Sequence, residues 1–241
     1  MAIPWKRAIV IRIRNRYPKV PDRYKQIDLI IDYLKPASIV EIGTWNGDRA
    51  IDIAQAALKH HTYVHYWGFD VFEHAADDQD QRELNVKPHI PLEDVRTKLE
   101  IFRERRPGFS FNLIKGDTRL TLHHPELPVW SHPSTGNPVQ LTEADLVFID
   151  GGHSIETIEN DFHSLGGCKN ILMDDYYSPC DRGLCPDVKK FGCNQLVERM
   201  PHWVLPVRDP VAGGGHVQIV ALGTLASLFV SENIYPRSGT N

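Results

Sequence analysis

The chain has 241 residues, 41% hydrophobic and 24% charged, with 27 Lys/Arg against 31 Asp/Glu and a formal net charge of −4. That is enough chain for one full core and an ordinary balance for a globular enzyme, and no apolar run reaches the roughly 18 residues of a membrane helix. Four irregularly spaced cysteines do not form a disulfide framework, and Met1 to Arg7 lack the apolar centre of a signal peptide, so a reducing cytoplasm is the expected location.

Residues 1–25 carry eight Lys/Arg against the single acid Asp22, while Ile9, Ile11 and Ile13 alternate with Val10, Arg12 and Arg14. This basic arm reads as a solvated, partly strand-like segment or as an anion-binding one for a phosphorylated or nucleic-acid substrate. The remainder of the chain is acidic, which disfavours a general nucleic-acid surface. Ile27, Ile30, Ile31 and Leu34 then recur at helical spacing, and Pro36 ends that helix.

Ser38 to Ile42 is an apolar strand interrupted by Glu41 and stopped at Gly43; Gly47 follows, and Ala50 to Lys59 are good helix formers. In open α/β sheets a nucleotide-like ligand sits in this strand–turn–helix crevice, and glycine there permits positive φ and close backbone approach. Trp45 stands where a dinucleotide fingerprint needs its middle glycine, and Gly47-Asp48-Arg49 lacks the lysine and hydroxyl of a P-loop. An acid ahead of the first glycine suits a cationic ligand, and S-adenosylmethionine is a nucleoside with a sulfonium, an ammonium and no phosphate. Glu41, Gly43, Thr44 and Gly47 are the candidate residues for it.

Thr62 to Asp70 reads as the second strand, and its terminal Asp70 is placed for ribose hydroxyls or is a turn acid. Residues 73–92 look like a loop or lid, Leu92 to Arg106 a helix, and Phe109 to Lys115 the third strand. Asp117 beyond it is placed for an adenine edge or again is a turn acid. The proline-rich insert 123–142 shows no structure of its own, leaving substrate cover or subunit contact open, and a homo-oligomer with it. Ala144 to Ile149 is a buried central strand ending in Asp150-Gly151-Gly152-His153, with a helix from Glu156 to Leu165. Asn170 to Asp175 is the fifth strand, 176–186 a cysteine-bearing loop, and 187–200 a helix. Strands His202 to Arg208 and His216 to Leu222 form a terminal hairpin around Gly213-Gly214-Gly215. The expected architecture is α/β, seven mostly parallel strands closed by an antiparallel hairpin. It divides into the arm (1–25), one domain (26–223) and a C-terminal extension and tail (224–241).

With these pieces the chain resembles the class I S-adenosylmethionine-dependent methyltransferases, whose three-layer Rossmann-like fold places such a hairpin antiparallel in the sheet. Val40 to Gly47, Gly68-Phe69-Asp70 and Gly116-Asp117 carry the match. Phe148 to Ser154 and Leu172 to Tyr176 resemble the small-molecule O-methyltransferase branch, which methylates sugars, macrolides and catechols. No Asn/Asp-Pro-Pro-aromatic motif of amino-group methyltransferases follows the fourth strand, which favours an oxygen acceptor.

Asp150 ends one strand, and Asp174 and Asp175 end its expected neighbour. Three gathered carboxylates are costly unless a cation neutralises them, and all-oxygen ligation suits Mg²⁺. The resemblance implies the same ion, bound by Asp150, Asp174 and Asp175, with His153 as the base; His153 and Asp150 are the candidate catalytic residues. Adjacent strand residues face opposite ways, so Asp174 and Asp175 share an ion only if the strand has turned; otherwise Asp174 is structural. Cys180, Cys185 and Cys193 do not have zinc-site spacing and read as loop and core thiols. The expected function is methyl transfer to a small-molecule hydroxyl. A nucleic-acid methyltransferase and a non-catalytic binding protein of the same fold are the alternatives, and Trp45 disfavours a nicotinamide oxidoreductase.

Overall fold

The computed structural model describes residues 21–75, 77–178, 186–211 and 214–230. A 3-10 turn (Asp22–Tyr24) leads into α1 (Lys25–Leu34), followed by β1 (Ser38–Ile42), α2 (Asp48–Ala57), β2 (Val64–Asp70), α3 (Asp77–Arg82), α4 (Leu92–Arg105) and β3 (Phe109–Lys115). Next come α5 (Thr118–Thr121), the short β4 (Trp130–Ser131) and β5 (Pro138–Val139), then β6 (Leu146–Ile149), α6 (Ile155–Ser164) and β7 (Asn170–Tyr177). The chain continues with α7 (Asn194–Val197), β8 (Trp203–Pro210), β9 (His216–Gly223) and α8 (Thr224–Val230).

Seven strands form one sheet in the order β3-β2-β1-β6-β7-β9-β8. β1, β2, β3, β6 and β7 run parallel, β9 is antiparallel to β7, and β8 is antiparallel to β9. Alternation along the strands sends side chains into two cores. Ile39, Tyr66 and Phe148 pack against Ile31, Ile53 and Leu99 from α1, α2 and α4. Val40, Trp67, Val147 and Ile171 pack with Ile158 of α6 and Val197 of α7 on the other side. Strands buried on both faces are what helices on both sides of a parallel sheet require. No helix among the described residues is long and apolar enough to cross a membrane.

The chain leaves β1 toward β2 and β3 but later returns to β1's other edge with β6. A crevice opens at that reversal, beyond the carboxyl ends of the strands. Gly43 turns there with φ 90°, and a Cβ on it would lie 2.0 Å from the Asp150 carbonyl oxygen.

Three stretches depart from expectation. The polar segment 73–92 contains α3, whose Asp78 in the first turn favours a helix N-terminus through the dipole. The insert 123–142 contains the hairpin β4–β5, pinned by Trp130, which is buried and stacked on His65. Helix formation in 187–200 shrinks to α7 because the chain turns at Gly192 (φ 83°) to run against β7, where Cys193 N–H donates to the Asp175 carbonyl. α8 lies within the segment read as extension and tail. Residues 1–20, Cys180 and Cys185 lie outside the described residues.

Gly43→Ala should lower stability by about 3 kcal/mol or more, combining strained φ with an overlap against backbone. Urea denaturation measures it, and a change below about 0.5 kcal/mol, the size of a neutral surface substitution, would contradict the turn geometry.

Candidate functional site

The reversal crevice holds a cavity of about 410 Å³, within the few hundred Å³ usual for small-ligand sites. Gly43, Thr44 and Asp70 line it, as do Gly116-Asp117-Thr118 after β3 and Asp150 to His153 after β6. Asp70 accepts hydrogen bonds from Trp45 N–H (2.8 Å) and Phe72 N–H (2.8 Å), so it is a turn acid and a wall of the cavity at once. Burial pushes its carboxyl up, against those two bonds. Asp117 likewise caps α5 through Arg119 N–H and pairs with the Arg119 guanidinium, which holds its carboxyl low. Trp45 does not obstruct the cavity: its indole N–H donates to the Pro88 carbonyl (3.0 Å), tying the turn to the segment after α3.

Two candidates from the β1 turn lie elsewhere. Glu41 is fully buried and does not line the cavity; it accepts from the Tyr66 hydroxyl, and its Oε1 sits 3.7 Å from Arg49 Nε. Burial pushes its carboxyl up to about 7. Glu41 therefore supports Arg49 from beneath the wall. Gly47, in the left-handed conformation (φ 75°), is the N-cap of α2 and packs toward Val95, also off the cavity wall.

The carboxylates of Asp150, just after β6, and Asp174, within β7, are close, as the sequence suggested, but their partners are arginines. Arg49 Nη1 donates to Asp150. Arg23 donates to both oxygens of Asp174, from Nε at 2.8 and 3.2 Å and from Nη2 at 2.8 Å. The Tyr24 hydroxyl bridges them, 2.6 Å from Asp174 and 3.2 Å from Asp150. Both guanidiniums lie over its ring, their Cζ atoms 4.2 and 3.8 Å from the centroid. Burial would raise Asp174, but Arg23 overrides it and brings the carboxyl to about 2. Asp150 stays raised, because burial outweighs Arg49 and Asp174 adds a like charge.

Asp175 faces away from this pair. A bulge interrupts β7 between Met173 and Tyr176, and Asp175 takes φ 62°. Its carboxylate meets Tyr177 OH (2.9 Å) and His153 Nε2 (3.2 Å). Burial raises it to about 6, opposed by the histidine. His153 Nδ1 meets the Glu83 carbonyl, so both ring nitrogens are engaged and neither is open toward an acceptor.

A divalent ion does not fit this donor set. Both Asp174 oxygens and the inward Asp150 oxygen are taken by guanidinium and phenol, while Asp175 is turned aside. Among the described residues no group of three or more His, Cys, Asp and Glu is arranged to hold a metal ion. Cys168 and Cys193 are buried free thiols.

The sequence reading missed Arg49, Arg23, Tyr24 and Glu83. Arg49 carried a signal: a cation in the first turn of a helix opposes the dipole and implies an acidic partner. Arg23 and Tyr24 were counted with the arm, yet both dock on the domain. Glu83, just after α3, buries its carboxylate against Ser154 N–H (2.8 Å), Ser154 Oγ (3.0 Å) and Thr157 Oγ1 (2.8 Å). It thus fastens the α3 segment to the start of α6, and Gly152 leaves room for it, since a Cβ there would sit 2.7 Å from Glu83 Oε2.

Asp161, on α6 behind Thr118, is fully buried, and its Oδ2 accepts no hydrogen bond. Burial pushes its carboxyl up to about 7, with Thr118 and Asn160 opposing. Because the folded value exceeds the unfolded one, this group's contribution is intact below about pH 4 and is lost as pH rises to about 7. Asp161→Asn should therefore be more stable than wild type at pH 8 by roughly 2–4 kcal/mol, and nearly equal at pH 4. Urea melts at both values test this; an equal difference at both would contradict it.

The sequence matches the family described as a methyltransferase domain over residues 40–167. No curated protein matches it significantly. Among solved structures, a candidate O-methyltransferase from Klebsiella pneumoniae superposes with a TM-score of 0.53 at 15% identity, over 92% of this chain and 91% of its own. The O-methyltransferase from Bacillus cereus in complex with SAH gives 0.51 at 12% identity, over 93% of each chain. Cofactor-bound Rv0187 from MTB gives 0.51 at 16%, over 90% of this chain and 87% of its own. These structural likenesses concern the fold, while the family match spans more than half the sequence; the chain belongs to the methyltransferase-domain family.

Proposed function

We propose that this protein transfers the methyl group of S-adenosylmethionine to a hydroxyl of a small molecule. The observation that carries this is the placement of Asp70 and Asp150 on one cavity, at the ends of β2 and β6. Asp70 would take the ribose hydroxyls, the Gly116 to Thr118 turn the adenine, and Gly43 with Thr44 the approach of the nucleoside to bare backbone. When bound, the cofactor supplies an electrophilic methyl carbon whose bond to sulfur breaks with the electron pair left on sulfur.

The chain's own task is to align the acceptor in line with that bond and to receive its proton. Asp150 is suited to the second role: it lines the cavity, and burial raises its carboxyl. Asp150 would receive the proton of the acceptor hydroxyl, with Arg49 paired beside it. His153, with both nitrogens engaged, serves by holding Asp175 and the Glu83 segment in place. An oxygen acceptor is supported by Asp150-Gly151-Gly152-His153 after β6, where an amino-group methyltransferase has a proline-rich motif. The O-methyltransferase names of the Klebsiella and Bacillus structures agree with it. The nucleic-acid alternative rests on the basic arm 1–25, of which residues 1–20 lie outside the described residues.

Calorimetry should show S-adenosylhomocysteine binding and no NAD binding. Asp70→Ala should weaken the former by about 1.5–3 kcal/mol, the worth of a hydrogen bond to a charged group. Asp150→Asn should leave that affinity nearly unchanged. Tight NAD binding, or an Asp70→Ala variant with full affinity, would overturn the assignment.

A further inference from the structure

The carboxylates just after β6 and within β7 raise the question of what does the work of the cation expected among them. Taking the methyltransferase reading as its basis, we propose that Arg23 and Arg49 replace the divalent ion, making this a metal-independent enzyme whose Asp150–Asp174 pair is compensated by guanidinium groups. Each carboxylate has its own arginine, and Tyr24 joins the two pairs through its hydroxyl and through its ring, over which both guanidiniums lie. The unit is closed: Tyr24 OH also accepts from Arg23 Nη2 (2.7 Å).

Arg23 is delivered by a built anchorage. Asp209 of β8 accepts from Asp22 N–H (3.0 Å), Arg23 N–H (3.2 Å) and Arg23 Nη1 (3.0 Å). Gln26 donates to the carbonyls of Arg23 (2.9 Å) and Val207 (3.1 Å) and accepts from Val207 N–H (2.9 Å). The start of the described chain is thereby zipped to the edge of the sheet, with its guanidinium aimed at the end of β7. A bound Mg²⁺ needs about six oxygen ligands at about 2.0–2.1 Å. The bulge that turns Asp175 toward His153 removes the third carboxylate from any such shell. An arginine fork keeps its charge at every working pH and matches a carboxylate with two parallel bonds. It fixes the pair's charge without exchanging with solvent ions.

The test is calorimetry on the full chain saturated with S-adenosylhomocysteine, titrated with Mg²⁺ and separately with Mn²⁺, alongside melting curves. Wild type should bind S-adenosylhomocysteine yet show no saturable cation heat and no cation-dependent rise in melting temperature. Arg23→Ala, which frees Asp174, should gain a cation-dependent rise. One-to-one cation binding by wild type that vanishes in Asp150→Asn would overturn the proposal. So would a folded Arg23→Ala variant that stays indifferent to both ions; if that variant does not fold, the wild-type titration decides alone. Failure of wild type to bind S-adenosylhomocysteine would instead bring down the methyltransferase reading.

Discussion

Asp150, just after β6, and Asp174 and Asp175, within the adjacent β7, crowd together with largely buried side chains. Charges of one sign cannot stay ionised together in a low-dielectric interior without partners. The surrounding structure supplies them. Arg49 comes from the first turn of α2 and Arg23 from the turn before α1, while His153 follows β6. Glu41 and Tyr66 then sit beneath Arg49, and Asp209 behind Arg23. The glycine turn at Gly43, the bulge at Asp175 and the docking of residues 21–26 on β8 all serve this arrangement. Removing one member of such a pair leaves its partner uncompensated and costs about 3–5 kcal/mol, so the cluster is a structural constraint as much as a chemical one.

The sheet was legible because its physics is local. Ile39, Val40 and Ile42, or Leu146 to Ile149, are strands buried on both faces wherever they are met, and Gly43 and Gly47 both take the positive φ anticipated for that turn. The antiparallel hairpin β8–β9 was legible as two strand-like runs around a glycine-rich turn. The cavity walls at Asp70, Asp117 and Asp150 were legible from their positions just past strand ends.

What was not legible depended on contacts distant in sequence. Arg23 lies 151 residues from Asp174, and Glu83 lies 71 from Ser154. No spacing pattern links them. Three acids at two strand ends asked for positive charge, and a cation was the answer that local reasoning supplied; two arginines far along the chain satisfy the same electrostatics. The caution that neighbouring strand residues face apart proved relevant in an unexpected way. The bulge did turn the strand, but it sent Asp175 to His153 instead of toward Asp174. Glu41, the motif acid, is buried beside Arg49 and off the cavity wall.

The account joins a nucleoside-binding crevice to an arginine-compensated carboxylate pair, and one measurement sees both at once. It is a crystal structure of the full chain grown with S-adenosylhomocysteine and Mn²⁺, with anomalous scattering recorded at the manganese edge. The account predicts the nucleoside between Asp70 and the Gly116 to Thr118 turn, the thioether sulfur facing Asp150, both guanidiniums in place, and no anomalous peak among the carboxylates. A manganese peak between Asp150 and Asp174, with Arg23 displaced, would contradict it.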